Sequence, residues 1–456
     1  MLNFEVEIFA RETIKPSSPQ IHGTKPFKLS FFDQLTPSTY ATQLFFYSTT
    51  ETSSSSSSSP SPTTILPQLK TSLSETLNLL YPFSGRIKDN MSVERFDKGV
   101  PFLSARAGCR MPEFLKHHEV KSLNKLVPCH PFSKELSNEI PLLVCQVTTF
   151  ACGGMALGLG YSHKITDARV AFLLCSVWST ICRGSRPHNV GILHGLDEAS
   201  KVFPPRNAVP QNYLSMMENL WFPGPNNSIT KRFTFDSKSI TELRAIAKGE
   251  LEAAPSRVQA LSGFIWKRCM AASWAISESS RPSIAVQAVS LRPRMNPTLL
   301  QNSIGNLFWF AHCVADIADE TNTEYFELVK LMRESVAAFD DEYLSSLQGE
   351  AGFEAMGEYI NQLETMFSSE KPDIFAFTSW CNLGFYELDF GWGKPQWVAP
   401  FGEVGSEFRN HAGLIGTRCG TGIEAWITLD EKRMLLLEKD AEFLKFASPN
   451  HKISSL

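Results

Sequence analysis

Residues 141–167 read PLLVCQVTTFACGGMALGLGYSHKITD, and this stretch holds the clearest fold signal of the chain. Residues 141–147 are rich in strand formers, Cys152-Gly153-Gly154 favours a turn, and residues 155–161 return as a second strand. A helix is predicted to begin near Asp167, because apolar residues then recur on one face as far as residue 181. His163 therefore lies between a strand and a helix, at a junction where catalytic groups are often placed.

Outward from this hairpin, strands and helices mix without a regular βαβ rhythm, which indicates a mixed α/β fold. The chain has 456 residues, which exceeds one ordinary core and favours two domains. We expect an N-terminal domain at 1–185, a crossover linker at 186–229 and a C-terminal domain at 230–456. The other elements predicted are strands at 4–8, 43–47 and 230–235, a helix from Asp236, and helices at 66–80, 256–272, 324–340, 343–366 and 430–446.

Two segments lack apolar periodicity. Residues 49–64 are dominated by serine and are predicted to form a mobile surface loop. Residues 185–227 are rich in proline, glycine and asparagine and are predicted to form an extended linker.

Composition and missing motifs exclude several classes. The chain has 43 basic and 47 acidic residues, a net charge of -4 and no basic stripe, so nucleic acid is not expected as a partner. A P-loop, a G-x-S-x-G elbow and an H-E-x-x-H metal motif are all absent. Ten cysteines without a C-x-x-C pair, with no leader or long apolar run, favour a cytoplasmic protein with reduced thiols. The tripeptide Ser454-Ser455-Leu456 loosely matches a peroxisomal address and gives a weaker alternative.

His163 is the candidate base. A neutral imidazole can accept the proton of an alcohol near neutral pH, and acyl transfer from a thioester needs such a base plus donors for the oxyanion. The pattern H-x-x-x-D is short, and His312 also has an aspartate four residues later. Context separates the two, because His312 continues an alternating strand. For Asp167, a helix cap or an ion pair with an arginine is favoured over a catalytic role.

A second cluster combines Thr378 and Trp380 with the segment 389–395, which reads DFGWGKP. Two tryptophans and two glycines so close together predict a tight packing site. We interpret Asp389, Gly391 and Trp392 as a turn held by buried aromatic side chains, with the aspartate paired to an arginine.

Together these motifs resemble the BAHD family of plant acyl-CoA-dependent acyltransferases. The family's H-x-x-x-D is matched at His163 and Asp167, and its D-F-G-W-G at 389–393. Residues 81–86 (YPFSGR) resemble its Y-P-[LF]-[AS]-G-R, and residues 29–34 (LSFFDQ) its L-S-x-x-D-Q; Asn306 and residues 291–295 also fit. The resemblance covers nearly the whole chain, in the branch of vinorine synthase and the fruit-ester alcohol acyltransferases.

The resemblance implies two domains like chloramphenicol acetyltransferase, each a mixed sheet flanked by helices, with a channel between them. It implies His163 at the centre of the channel and Asp167 turned away from substrate and paired with Arg292. It implies that Trp380 and Thr378 hold the oxyanion or the acceptor, and that Asp389, Gly391 and Trp392 support the fold away from the reaction centre. Ser256 and Arg257 would border the site of CoA.

The resemblance further implies an acyl-CoA co-substrate, a small hydroxylated acceptor, no tightly bound cofactor, no metal and a monomer. Direct transfer of a short acyl group onto an alcohol, alkaloid, terpenoid or phenolic hydroxyl is the expected reaction. An idle metabolite-binding relative and an N-acyltransferase stay open as alternatives. One departure is Ala168, where the family usually has glycine; alanine fits if its φ is negative.

Overall fold

The computed structural model describes residues 4–18, 20–21, 25–48, 62–117, 119–133, 139–185, 195–224, 227–277, 281–295, 300–315, 324–369, 372–405 and 408–449. Within these residues the fold is a mixed α/β arrangement of two large mixed sheets and one small sheet, flanked by helices. None of the helices in the described ranges is both long and apolar enough to cross a lipid bilayer.

The first large sheet has six strands in the order β1-β6-β7-β8-β3-β13. All neighbours are antiparallel except β6 and β7. The strands of this sheet are β1 (Val6–Ile14), β3 (Tyr40–Tyr47), β6 (Val100–Ala107), β7 (Leu143–Phe150), β8 (Met155–Ser162) and β13 (Trp397–Ala399). A small sheet is formed by β2 (Phe27–Lys28), β4 (Arg86–Lys88) and β5 (Ser92–Glu94).

The second large sheet has seven strands in the order β11-β10-β12-β14-β15-β9-β16. The pairs β10–β12 and β12–β14 are parallel, and the others are antiparallel. Its strands are β9 (Ser228–Phe235), β10 (Ser283–Ser290), β11 (Phe308–Ala315), β12 (Asp373–Ser379), β14 (His411–Gly416), β15 (Ile423–Asp430) and β16 (Ser448–Pro449).

Helices cover both large sheets. They are α1 (Phe31–Leu35), α2 (Pro62–Leu79), α3 (Met111–His117), α4 (Ala168–Cys182), α5 (Glu198–Val202), α6 (Gln211–Trp221), α7 (Ser237–Lys248), α8 (Arg257–Trp274), α9 (Tyr325–Ala337), α10 (Asp341–Ser346), α11 (Gly349–Ser369), α12 (Glu431–Leu437) and α13 (Ala441–Leu444). Short 3₁₀ helices in the described ranges include Tyr81–Ser84, Val120–Lys125 and Phe385–Glu387.

The hairpin predicted for residues 141–161 is confirmed. β7 and β8 pair antiparallel, and His163 follows the last residue of β8 directly. Asp167 is the N-cap of α4 and accepts a hydrogen bond from the backbone N–H of Val170, as a cap residue should. Asp236 and Ser256 cap α7 and α8 in the same way, so three helix starts follow from local sequence.

The extended linker at 185–227 is only partly correct. The segment contains α5 and α6, and Met216, Met217 and Leu220 of α6 are buried. These three residues lie on one helical face, and the many prolines and glycines around α6 obscured that pattern. Residues 186–194 of the predicted linker lie outside the described residues.

Two predicted helices are interrupted. The helix expected at 343–366 is divided between α10 and α11, and Gly349 at the break has a φ of 65°, which glycine adopts without strain. The helix expected at 430–446 is divided between α12 and α13, and Asp440 caps the second piece. The loop expected at 49–64 ends earlier than predicted, because α2 begins at Pro62. Residues 49–61 of that loop lie outside the described residues. The tripeptide Ser454-Ser455-Leu456 also lies outside them.

One late segment returns to the first sheet. β13 pairs with β3, and Phe385, Phe390 and Trp397 belong to the same buried apolar cluster as α2 and α4. The domain boundaries at residues 185 and 230 therefore stay a proposal. If the chain is divided there, the C-terminal domain supplies β13 as an edge strand of the N-terminal sheet.

Alternation along the second sheet gives its two faces different roles. Phe377 and Leu414 point to one face, which packs against α8 and α9. Ala288, Thr378 and His411 point to the other face and line a cavity. The second sheet thus supplies one wall of that cavity.

Candidate active site

Two cavities meet at His163. The main cavity encloses about 1020 Å³, including space open to solvent, and the small cavity about 510 Å³. Five residues line both of them: Phe132, His163, Trp221, Phe308 and Phe408. The Phe308 ring and the imidazole are T-shaped to each other, with 5.9 Å between ring centroids. An imidazole shared by two largely apolar cavities is placed to act between two bound molecules.

The imidazole of His163 has its nitrogens in different settings. Nδ1 is buried without a hydrogen-bond partner among the described residues. Nε2 also makes no hydrogen bond there, which leaves it available to a ligand in the cavities. Burial lowers the pKa of His163 below 6.5, while its own carbonyl group, Asp167 and Asn306 act in the opposite direction. The ring is therefore neutral at pH 7 and can accept a proton.

The backbone of His163 is held from both halves of the chain. Its N–H donates to the carbonyl of Thr39 at 2.8 Å. Its carbonyl accepts from Nδ2 of Asn306 at 2.7 Å. Nδ2 of Asn306 also donates to Oδ1 of Asp33 at 2.8 Å, and the backbone N–H of Asn306 donates to the same oxygen at 2.6 Å. A residue 143 positions later in the chain thus fixes the position of His163.

Asp33 is buried at the centre of this network. Its Oδ2 accepts from the backbone N–H and the hydroxyl of Ser30. Burial raises the pKa of Asp33 to about 6, although four hydrogen bonds from Asn306 and Ser30 oppose that shift. Gly305 approaches Asp33 so closely that an added Cβ would lie 2.8 Å from Oδ2, and its φ is 120°. Glycine is therefore required at 305 for both space and backbone conformation.

Asp167 forms a buried ion pair with Arg292, as the resemblance implied. Oδ2 accepts from Nε and Nη2 of Arg292 at 3.2 and 3.0 Å, and from the backbone N–H of Leu307 at 3.1 Å. Oδ1 accepts from Val170 at 2.9 Å. Both oxygens are occupied, and neither is hydrogen-bonded to His163. Arg292 is 1% exposed and also donates to three backbone carbonyls, those of Leu300, Ser303 and Gly305.

Trp380 and Thr378 both line the main cavity. Trp380 is half-buried, and its backbone N–H donates to Leu414 at 2.7 Å while its ring packs on Phe385. The indole N–H makes no hydrogen bond within the described residues. The structure therefore brings Trp380 and Thr378 to the same cavity as His163.

The other predicted site residues lie elsewhere. Ser256 caps α8, and the guanidinium of Arg257 donates to the carbonyls of Gly420 and Thr421 at 2.8 and 3.2 Å. Neither residue lines either cavity, so their contact with CoA stays a prediction. His312 is hydrogen-bonded to the hydroxyl of Tyr359 and lines neither cavity, which confirms it as an ordinary strand position.

The pairing of Asp389 with an arginine is wrong for the described part of the chain. Oδ1 of Asp389 accepts from the backbone N–H groups of Gly391 and Gly393 at 2.7 and 3.0 Å. Gly391 and Gly393 have φ values of 113° and 98°, so both depend on glycine. Trp392 stacks on Phe390 with 5.8 Å between ring centroids. The carboxylate thus closes its own turn, and backbone donors replace the arginine.

Sequence reasoning missed three polar residues near His163. Arg169 and His411 line the main cavity. Lys164 donates to the carbonyls of Asp33 and Gln34 and to Oδ1 of Asn90, and burial lowers its pKa to about 8. No local pattern marks His411, but Arg169 lies only six residues after His163 and could have been considered. Within the described ranges, no group of three or more His, Cys, Asp or Glu residues could hold a metal ion.

Comparisons with known proteins match nearly the whole chain. The family model described as the Transferase family matches residues 4–444. Akuammiline synthase 2 of Alstonia scholaris is 36% identical over 450 residues, covering 98% of this chain and 97% of that protein. Limonoid 7-O-acetyltransferase of Citrus sinensis is 36% identical over 462 residues, covering 97% and 98%.

Solved structures show the same fold. The crystal structure of vinorine synthase superposes with a TM-score of 0.80 at 31% sequence identity, covering 99% of this chain and 100% of the other. The F. sporotrichioides protein TRI101, in complex with coenzyme A and T-2, gives a TM-score of 0.73 at 19% identity, with coverage of 94% and 100%. The latter comparison speaks only to the fold.

Proposed function

Because the chain belongs to the Transferase family, the BAHD-type acyltransferases, and is an acyltransferase, we propose that it transfers an acyl group from a CoA thioester to a hydroxyl of a plant specialised metabolite. The observation that carries this proposal is His163: a neutral imidazole with a free Nε2 at the meeting point of two cavities. Two substrates that enter from different sides would meet at this nitrogen.

The proposed chemistry is direct transfer. Nε2 of His163 removes the proton of the acceptor hydroxyl, and the oxygen attacks the thioester carbonyl. The carbonyl oxygen becomes negative and is stabilised by the indole N–H of Trp380 or by backbone N–H groups. The C–S bond then breaks, and the protonated imidazole returns its proton to the CoA sulfur. Holding both substrates in adjoining cavities supplies much of the rate.

Two features support assigning CoA as the co-substrate. The main cavity is lined by His163 and, at about 1020 Å³ including space open to solvent, is the larger of the two cavities. Relatives that share this fold include acetyltransferases and a protein in complex with coenzyme A. The acyl group proposed is short, and Ser256 and Arg257 are proposed to border the CoA nucleotide.

A hydroxyl is preferred over an amine as the acceptor group. The names of several relatives specify O-acetyl transfer, among them stemmadenine O-acetyltransferase of Catharanthus roseus, 34% identical over 442 residues. Because an alcohol is a far weaker nucleophile than an amine when neutral, the free base at Nε2 of His163 is needed more by an alcohol.

The test is release of the CoA thiol by the purified chain across acyl-CoA donors and matched alcohol and amine acceptors, with mass spectrometry of the product. We expect thiol release that requires an alcohol and yields an ester. Amide formation with the matched amines would support the N-acyltransferase alternative. Saturable acceptor binding without thiol release from any donor would support an idle relative and would contradict the proposal.

A further inference from the structure

Three residues around the start of α4 line the main cavity, and none of them lines the small one: Thr166, Ala168 and Arg169. Thr166 is 2% exposed, and its hydroxyl oxygen is buried without a hydrogen-bond partner among the described residues. A buried polar atom without a partner is costly, so we expect a bound group in the cavity to complete its hydrogen bonding.

The backbone at this point favours a negatively charged group. Ala168 is the first residue of α4, a helix of 15 residues. The first N–H groups of a helix have no partner within it, and the helix dipole places positive charge there. The carboxylate of Asp167 accepts from the N–H of Val170, and its carbonyl accepts from the N–H of Ala171. The N–H groups of Ala168 and Arg169 have no acceptor within the described residues.

The guanidinium of Arg169 adds a full positive charge to the same place. Its Cζ lies 5.4 Å from the ring centroid of Phe172. Its one hydrogen bond within the described residues joins Nε to the carbonyl of Gln301 at 3.4 Å, so both terminal nitrogens are unpartnered there. A cation at a helix N-terminus opposes the dipole and is stabilised by an anion beside it. A guanidinium offers two parallel N–H groups, which match the two oxygens of a carboxylate.

No carboxylate in the described part of the chain neutralises Arg169. The charged groups that act on it electrostatically are Arg292 and Asp167. These two pair with each other, and both oxygens of Asp167 are already occupied. Asp167 is also the only acidic residue that lines the main cavity within the described ranges. The start of α4 therefore keeps one unbalanced positive charge.

These donors lie near the thioester end of the proposed CoA site. Thr166 follows His163 by three residues and Arg169 follows Thr166 by three, so each step spans at most about 11 Å between Cα atoms. His163 lines the same cavity. In the proposed reaction the thioester carbonyl lies at Nε2 of His163, and the long pantetheine arm keeps the phosphates of CoA away from it. A negative group at the start of α4 therefore belongs to the acyl part of the donor.

We infer that the acyl donor carries a terminal carboxylate, as malonyl-CoA and succinyl-CoA do, and that Thr166, Arg169 and the first N–H groups of α4 bind this carboxylate. This inference rests on the proposed function, because it names the acyl group of the same transfer. The bond changes are those of the proposed reaction: the C–S bond breaks, the C–O bond forms, and the carboxylate is carried over intact. The product is a half-ester of a dicarboxylic acid. Arg169 and Thr166 are specificity-determining residues and take no part in proton transfer.

The experiment measures binding of two stable thioethers of CoA that differ only in the end group on the sulfur. One bears a carboxyethyl group, which stands in for a malonyl group. The other bears a carbamoylethyl group, which has the same shape without the charge. Calorimetric titration of the purified chain at pH 7.5 needs no acceptor. We expect the carboxyethyl thioether to bind at least about 10-fold more tightly, because only its end group accepts charge-assisted hydrogen bonds at both oxygens.

Variants assign the preference to the two side chains. Arg169→Gln should abolish it by weakening the carboxyethyl thioether at least about 10-fold, with Kd of the carbamoylethyl thioether unchanged. Arg169→Lys should retain part of the preference, because lysine keeps the charge but not the bidentate contact. Thr166→Val has nearly the same shape and should reduce the preference about 3- to 10-fold. Arg183→Gln, at the exposed end of α4, is the matched control and should change neither Kd.

The outcomes separate the inference from the proposed function. Equal binding of the two thioethers by the unmodified chain, or a preference that survives in Arg169→Gln, would overturn the inference while acyl transfer still stood. Equal weakening of both thioethers and of CoA itself in Arg169→Gln would also overturn it, because the guanidinium would then contact the phosphates of CoA. Absence of binding by CoA and by both thioethers would instead reject the proposed function.

Discussion

Asp167→Asn separates a structural aspartate from a catalytic one. Asparagine is as good an N-cap as aspartate, so the start of α4 should be retained. The ion pair with Arg292 is lost, and Arg292 is then a buried charge without a counter-ion, since it is 1% exposed. Removing one partner of a buried pair costs about 3–5 kcal/mol. With about 2.1 cal/mol/K of unfolding entropy per residue, the melting temperature should fall by about 3–5 °C if the chain unfolds as one unit.

The effect on catalysis should be small by comparison. Neither oxygen of Asp167 is hydrogen-bonded to His163, since Val170, Arg292 and Leu307 occupy them. Turnover per folded molecule should therefore stay within about 10-fold, whereas an aspartate that orients a catalytic histidine directly costs about 10⁴-fold when its charge is removed.

The assay compares urea unfolding with thiol release measured on the folded fraction. Asp236→Asn is the control, because Asp236 caps α7 through Ser239 without any ion pair in the described residues. A folded Asp167→Asn enzyme that lost 10³-fold or more of its turnover, or one with unchanged stability, would refute this reasoning.

Three further outcomes follow from the contacts of His163. Asn306→Ala removes the donor to the His163 carbonyl and should lower kcat about 10- to 100-fold with KM for acetyl-CoA unchanged, measured by initial rates. A loss of rate that disappears at saturating acetyl-CoA, and therefore lies in KM alone, would contradict it. Ala168→Gly should lower the free energy of unfolding by about 0.5–1 kcal/mol, because Ala168 is the first helical residue of α4 and glycine is a poorer helix former. The variant should keep kcat within about two-fold of the wild type; a higher kcat would show that this loop needs glycine. Burial lowers the pKa of His163, so the imidazole becomes protonated, and is lost as a base, only at acidic pH. As the pH is lowered, kcat/KM should therefore decrease with a midpoint under pH 6.5, and it should stay constant at higher pH. A decrease with its midpoint above pH 7 would exclude a neutral, buried base.

Local signals in the sequence predicted the elements that carry His163. The strand–turn–strand composition gave the hairpin, and an aspartate or serine before an apolar face gave the starts of α4, α7 and α8. These features depend only on neighbours a few residues apart. They were correct because hydrogen bonding within a turn or a cap is decided locally.

Contacts between distant segments could not be predicted in the same way. The hydrogen bond from Asn306 to His163 and the return of β13 to the first sheet depend on how the two sheets face each other. His411 is buried in an aromatic wall, and nothing in its local sequence distinguishes it from an ordinary strand residue. Asp389 fell between these cases: its turn was predicted, but the partners of its carboxylate were not.

The most direct test of the central claim compares His163→Ala with His312→Ala in the thiol-release assay. Both histidines precede an aspartate by four residues, but only His163 lines the cavities. We expect a folded His163→Ala enzyme to lose about 10²–10⁴-fold in kcat, and His312→Ala to keep most of its activity. Near-normal turnover by folded His163→Ala, or an equal loss in both variants, would contradict the assignment of His163 as the general base.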